Sequence, residues 1–84
     1  MPEKTKTPAG PAKILDCRGL YCPEPVYRTS EEISTVAVGE VLEVLADDPA
    51  SRSDITSWAR HTGHELISVE ERKDGFRFLI RRTA

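Results

Sequence analysis

VLEVLADDPASRSDITSWARHTG, residues 41–63, reads as a strand, a stop and a helix, and that succession decides the fold. Val41 to Ala46 is β-branched and apolar apart from Glu43, as in a strand with one wetter face, so Leu42, Val44 and Ala46 are expected to face a core. Asp47-Asp48-Pro49 stops the strand. Ser51-x-x-Asp54 then has the form of a capping box opening a helix whose Ile55, Trp58, Ala59 and Thr62 share one face, and Gly63 is the residue expected just past its end. On the C-terminal side, Glu65–Arg72 and Phe76–Arg82 are strand-like runs around Asp74-Gly75, the strongest hairpin signal in the chain. Phe76, Phe78 and Ile80 fall on one face of the last strand and Arg77, Leu79 and Arg81 on the other.

On the N-terminal side, Pro23 to about Thr35 carries Val26, Ser30 and Ile33 at helical spacing. Pro23 and Pro25 lie in the first turn, where a missing N–H costs little, and Gly39 closes the segment. Lys13 to Cys17, with Ile14 and Leu15, is a short strand ended by a glycine turn at Arg18-Gly19. Residues 1–12 hold three of the six prolines and no aromatic side chain, a composition expected of a flexible tail, which leaves 13–84 as a single domain. The order βαβαββ, with two helices each apolar on one face, predicts an α/β fold. It would be a two-layer α/β sandwich in which a four-stranded mixed sheet carries two helices packed on one face. The bare face would leave Leu45 and Leu79 partly exposed.

With 84 residues there is room for one core and no more. Twelve Lys and Arg against 14 Asp and Glu give a net charge of −2, which argues against a protein held on nucleic acid by phosphate neutralisation, so no stable nucleic-acid complex is expected. No apolar run approaches the ~18 residues that span a bilayer, and the N-terminus lacks the apolar stretch of a signal peptide; no membrane association is expected, and the cytoplasm is the expected compartment. Two cysteines are too few for a disulfide framework, so thiol chemistry or packing is their use.

Cys22 is the first candidate for chemistry. A sulfur at the first turn of a helix feels the positive end of the macrodipole, which favours the nucleophilic thiolate. With Pro23 and Pro25 lacking N–H groups and Glu24 opposing, the expected effect is a moderate lowering of the thiol pKa. That suits a group which accepts an atom and then gives it up. The plain alternative is a cysteine that fills space at a turn.

The string D-C-R-G-L-Y-C-P-E-P, residues 16–25, resembles the signature of the TusA (SirA-like) sulfur carrier family: Asp16, Gly19-Leu20 and Cys22-Pro23-Glu24-Pro25 match its Asp, its Gly-Leu and its Cys-Pro-x-Pro motif. The resemblance continues through Ala46-Asp47-Asp48-Pro49, Gly63-His64-Glu65-Leu66 and Phe76–Arg81, nearly everything after the tail. It implies a βαβαββ sandwich in which Cys22 receives sulfane sulfur as a persulfide and passes it to an acceptor protein, with no cofactor beyond that covalent sulfur. Pro23, Glu24, Pro25, Asp16, Arg18 and Gly19 would support the site. In the family the sulfur comes from a cysteine desulfurase or a rhodanese-type protein. It ends in tRNA thiolation, molybdenum cofactor supply or sulfur oxidation.

Other residues carry competing readings. Cys17 either packs inert against the helices or, as the first cysteine of C-x4-C, attacks a Cys22 persulfide as a resolving thiol; packing is preferred. His61 and His64 formally complete a Cys2His2 set with Cys17 and Cys22, but the 38 residues separating the second cysteine from His61 are not zinc spacing, and no metal is expected. Arg72, Lys73, Arg77, Arg81 and Arg82 form a basic cluster on the last hairpin, read by default as a solvated strand face guarding a sheet edge. Arg18 lies where a partner would approach, with Asp16 orienting it, and Tyr21 in the cysteine turn is a candidate partner contact. Trp58 is assigned to the core.

The preferred reading is a monomeric relay component of sulfurtransferase type, not a self-sufficient enzyme, since no general base or cofactor motif is visible. The alternative is a protein- or RNA-binding regulatory module in which Cys22 is structural, and a third reading has Cys17 and Cys22 cycling as dithiol and disulfide.

Overall fold

Alternation of small and large apolar side chains along two neighbouring strands builds the centre of the molecule. The computed structural model describes residues 11–84. Its elements are β1 (Lys13–Asp16), α1 (Glu24–Glu32) with a 3-10 turn at Ile33–Thr35, β2 (Val41–Ala46), α2 (Ser51–Thr62), β3 (Glu65–Arg72) and β4 (Gly75–Arg81). The sheet order is β1-β2-β4-β3, with β1 parallel to β2 and the remaining pairs antiparallel. The expected two-layer α/β architecture is therefore present. Most of the expected tail, residues 1–10, lies outside the described residues; of its last two, Ala12 already donates its N–H to the Val41 carbonyl at 2.8 Å.

Leu42, Val44 and Ala46 of β2 and Phe78 and Ile80 of β4 are fully buried, and they meet Ile33, Val36 and Ile55 from the helical layer. Glu43, on the opposite face of β2, is not wet: it is 8% exposed and paired with Arg77 at 3.1 Å. Leu45 and Leu79 on that face are half-buried, as expected.

Three local expectations need correction. In α1 the inward residues are Pro25, Val26, Thr29 and Ile33, whereas Ser30 is exposed and its hydroxyl turns back to the Tyr27 carbonyl at 3.1 Å. Thr29 can be buried because its hydroxyl donates to the Pro25 carbonyl one turn earlier, at 2.7 Å. In α2 the capping box does not form: Ala50 is the N-cap, Ser51 is already helical with a buried and unpartnered hydroxyl, and Thr62 is exposed. Trp58 is half-buried, packed on the core by one side only. In the hairpin, Lys73 and Asp74 form the turn and Gly75 is the first paired residue, opposite Arg72. Gly75 has φ 136°, and a Cβ there would run into the Ala46 carbonyl and lie 3.1 Å from the Asp47 Cα. Only glycine lets the hairpin close down on the end of β2.

β3 carries a bulge between Leu66 and Ser68, which places Ile67 outside the ladder and exposed. The extra residue lets Leu66 and Val69, three apart, both pack on the core. At the other end of the layer Gly63 adopts φ 84° and caps α2 through its N–H to the Ala59 carbonyl at 3.0 Å, as expected. Among the described residues no helix is long and apolar enough to cross a membrane.

Candidate functional site

Because β1 and β2 are parallel neighbours, the loops leaving their C-terminal ends emerge side by side. The first loop, residues 17–23, contains Cys22. The second, residues 47–50, supplies the carboxylates that hold it. Asp47 accepts the Gly19 N–H at 3.0 and 3.1 Å through its two oxygens. Asp48 accepts the Cys22 N–H at 2.6 Å with one oxygen and the Ala50 N–H at 3.2 Å with the other. Inside the first loop, the Leu20 N–H donates to the Cys17 carbonyl at 3.2 Å and the Glu24 N–H to the Tyr21 carbonyl at 2.8 Å. Every backbone turn around the thiol is therefore tied down.

The Cys22 side chain is exposed and its Sγ donates to Asp54 Oδ2, 2.8 Å away in the first turn of α2. Cys22 precedes Pro23, the N-cap of α1, across a cis peptide bond; Glu24 and Pro25 are the first helical residues. The expected lowering of the thiol pKa is not found. The hydrogen bond to Asp54, desolvation, and the negative charges of Asp54 and Asp48 together push it up from the ordinary cysteine value.

Cys17 is fully buried in the core, and burial pushes its thiol up to about 11. Asp16 accepts three hydrogen bonds from Arg18, from its N–H at 3.0 Å and from its Nε and Nη2 at 2.9 Å each. That pairing holds the Asp16 carboxyl down at about 2, so it persists from neutral pH through the ordinary carboxylate range and is lost only as pH falls toward that value. Arg18 also reaches Asp74 of the hairpin turn at 3.5 Å. It braces the loop against the hairpin, and among the described residues it makes no hydrogen bond to Cys22. Tyr21, the residue before Cys22, is 78% exposed.

An open groove of about 450 Å³ runs from Cys22 along α2, walled by Pro23, Val26, Asp54, Trp58 and His61. His64 lies elsewhere: its ring stands 5.5 Å from that of Trp58 and its Nδ1 accepts the Thr83 N–H at 3.1 Å. Among the described residues no group of three or more His, Cys, Asp or Glu side chains could hold a metal ion.

Three of the basic residues of the hairpin, Arg72, Arg77 and Arg81, are paired with carboxylates, whereas Lys73 is exposed in the turn. Arg72 pairs with Glu70 at 2.9 Å, Arg77 with Glu43 at 3.1 Å and Glu70 at 3.5 Å, and Arg81 with Glu65 at 3.7 Å. Arg82 donates to the carbonyls of Val36 at 2.7 Å and Ser34 at 3.1 Å. Arg77 and Arg81 sit on β4, an interior strand, so they cross-link the open face and do not guard an edge.

Sequence reasoning missed Asp48 and Asp54, read as a strand stop and a cap, and the groove walls Trp58 and His61. A signal was present: Pro49 alone would end β2, so a double Asp before it is more than a stop requires.

The chain resembles known proteins over most of its length. Residues 13–82 match the family model described as Sulfurtransferase TusA. A putative sulfur carrier protein of Archaeoglobus fulgidus is 47% identical over 70 residues, covering 82% of this chain and 91% of the relative. The sulfur carrier protein TusA of Pseudomonas putida is 40% identical over 74 residues, covering 88% and 92%. The crystal structure of a SirA-like protein from Desulfitobacterium hafniense superposes with a TM-score of 0.74 at 26% identity, over 86% of this chain and 99% of that one.

Proposed function

Because the chain belongs to the TusA sulfurtransferase family, we propose that it carries sulfane sulfur as a persulfide on Cys22 and relays it from a donor protein to an acceptor protein. The observation that carries the reading is the exposed Cys22 thiol, fixed at the ends of two parallel strands beside an open groove, while the other thiol of the chain is shut in the core. The open groove leaves room for a partner's reactive segment and encloses no small substrate.

In the loading step the Cys22 sulfur attacks the terminal sulfur of a donor persulfide. A new S–S bond forms at Cys22 as the S–S bond of the donor breaks, the donor sulfur leaves as a thiolate, and the Cys22 proton ends on that thiolate through solvent or directly. Delivery repeats the exchange with the thiol of an acceptor, so one sulfur atom moves at each step and nothing is oxidised or reduced overall. Donors of the cysteine desulfurase or rhodanese type fit the first step. Acceptors serving tRNA thiolation, molybdenum cofactor supply or sulfur oxidation fit the second. We place the relay in the cytoplasm, where thiols remain reduced.

Cys17 takes no part in this scheme: its burial and raised pKa make it a packing residue in place of a resolving thiol. Less supports the protein- or RNA-binding alternative, because Arg72, Arg77 and Arg81 each meet a carboxylate within the chain. Intact-protein mass spectrometry after incubation with a cysteine desulfurase and cysteine tests the proposal. Wild type and Cys17→Ser are both expected to gain one or more sulfur atoms that a reductant removes. No gain in wild type overturns the carrier reading, and a gain lost in Cys17→Ser with the fold retained would put Cys17 back into the chemistry.

A further inference from the structure

Resting on the persulfide reading, the geometry around Cys22 bears on which donors the site accepts. We propose that Asp54 is a specificity-determining residue: it holds the undocked protein in the thiol form and reserves sulfur uptake for a donor protein that brings a cationic side chain to the Asp54 carboxylate, against small anionic sulfane compounds such as polysulfide.

The thiol is not simply near an acid. Its Sγ donates to Asp54 Oδ2 at 2.8 Å, and the backbone N–H of the same residue donates to Asp48 at 2.6 Å, so two carboxylates from one segment bracket the nucleophile. Among the described residues neither Asp48 nor Asp54 forms an ion pair within the chain, although Asp16, Glu43, Glu65, Glu70 and Glu71 all do. Within the described residues the charge of Asp54, which lies on the groove wall, therefore has no cationic partner. Both carboxylates favour the protonated thiol, and that direction agrees with the raised thiol pKa.

Other charges near the loop do not cancel this one. From α1, Glu24 and Arg28 pair with each other at 3.7 Å, and their fields act on Cys17. From α2, His61 is the other titratable side chain on the groove wall. The rest of the lining is apolar at Pro23, Val26 and Trp58, carries the hydroxyls of Ser57 and Thr62, and holds no lysine or arginine.

A polysulfide anion approaching Cys22 meets like charge and a masked nucleophile. A cation placed on Asp54 removes both obstacles: it competes for the carboxylate that the thiol proton occupies, and it cancels the repulsion felt by the incoming persulfide. The thiol proton is then released to solvent and the exchange proceeds as above. Selection comes from the charge that the donor supplies, not from a pocket.

The test compares wild type, Asp54→Asn and His61→Gln, each checked for its thermal unfolding. One arm follows alkylation of Cys22 by neutral iodoacetamide against pH. The other follows sulfur gain at neutral pH from polysulfide and from cysteine desulfurase with cysteine. In Asp54→Asn the alkylation inflection is expected to move to lower pH. The neutral-pH rate then rises by about threefold, the larger thiolate fraction being offset in part by its lower nucleophilicity. Loading from polysulfide is expected to rise at least as much, and loading from the desulfurase to fall roughly tenfold as the charge-assisted contact is lost. His61→Gln should leave the inflection in place.

An unmoved inflection in Asp54→Asn, or desulfurase and polysulfide rates that shift in the same direction, overturns the role of Asp54 while leaving the persulfide reading intact. Absence of sulfur gain in every variant, with the inflection still shifted, overturns the persulfide reading and donor selection with it.

Discussion

Cys22→Ser is expected to lose sulfur acceptance completely while unfolding at the same temperature as wild type to within the effect of a neutral surface change, about 0.5 kcal/mol. The two halves of that expectation come from different parts of the site. The serine hydroxyl keeps a donor for Asp54, and the backbone N–H keeps its bond to Asp48, so the loop retains every contact that shapes it. The side chain is exposed, so no packing is lost. What disappears is the one atom able to attack a sulfane sulfur and hold it in a reversible S–S bond. Intact mass and thermal denaturation, read on the same sample, check both halves. A Cys22→Ser protein that unfolds would make Cys22 a structural residue and return the binding-module alternative.

Phe78→Ala is expected to destabilise the domain by about 3–5 kcal/mol. Phe78 is fully buried on the interior strand β4, opposite Val44 on one side and Val69 on the other, with the Phe76 ring 6.2 Å away. It is the largest of the fully buried side chains and lies where the helical layer meets the sheet. The surrounding residues belong to two helices and three strands and cannot collapse together into the space it leaves. Against the 5–15 kcal/mol that stabilises a typical domain, a loss of roughly 4 kcal/mol is a large fraction. The melting temperature should fall by at least about 12 °C. Chemical denaturation would measure the change directly, and a loss below about 1 kcal/mol would mean that the core is centred elsewhere.

Elements governed by short-range pattern were legible before any coordinates. Alternation in Phe76–Ile80 placed the core face of β4, and Gly63 marked the end of α2, because each depends only on period and local backbone freedom. Readings failed where a distant group competed with a local one. Ser51-x-x-Asp54 has the spacing of a capping box, yet Asp54 is engaged by a thiol 32 residues away and Ser51 is buried with no partner for its hydroxyl. The Cys22 thiol pKa is raised, not lowered, for the same reason: the helix charge is visible in the local sequence, while Asp54, 32 residues on, and Asp48, 26 residues on, reach the thiol only through the fold. The β3 bulge was hidden because Leu66 and Val69 fit neither a plain strand nor a helix until the extra residue is seen.

A thiol kept protonated by carboxylates also changes how the carrier idles. Thiolate is the form that oxidants and stray electrophiles attack, so in the proposed relay a masked Cys22 would survive between loading events. In that proposal the same carboxylates would repel the more acidic persulfide, which would favour passing the sulfur on. Holding weakly and releasing readily is what a relay requires.

The most direct test of the central claim is to locate the sulfur itself. Wild-type protein loaded by a cysteine desulfurase with cysteine would be alkylated while folded, digested and mapped by mass spectrometry. The account predicts an alkylated persulfide on the peptide containing Cys22, with Cys17 left as an unmodified thiol until the protein is unfolded. Sulfur on Cys17, or a Cys17–Cys22 disulfide as the main product, would contradict it.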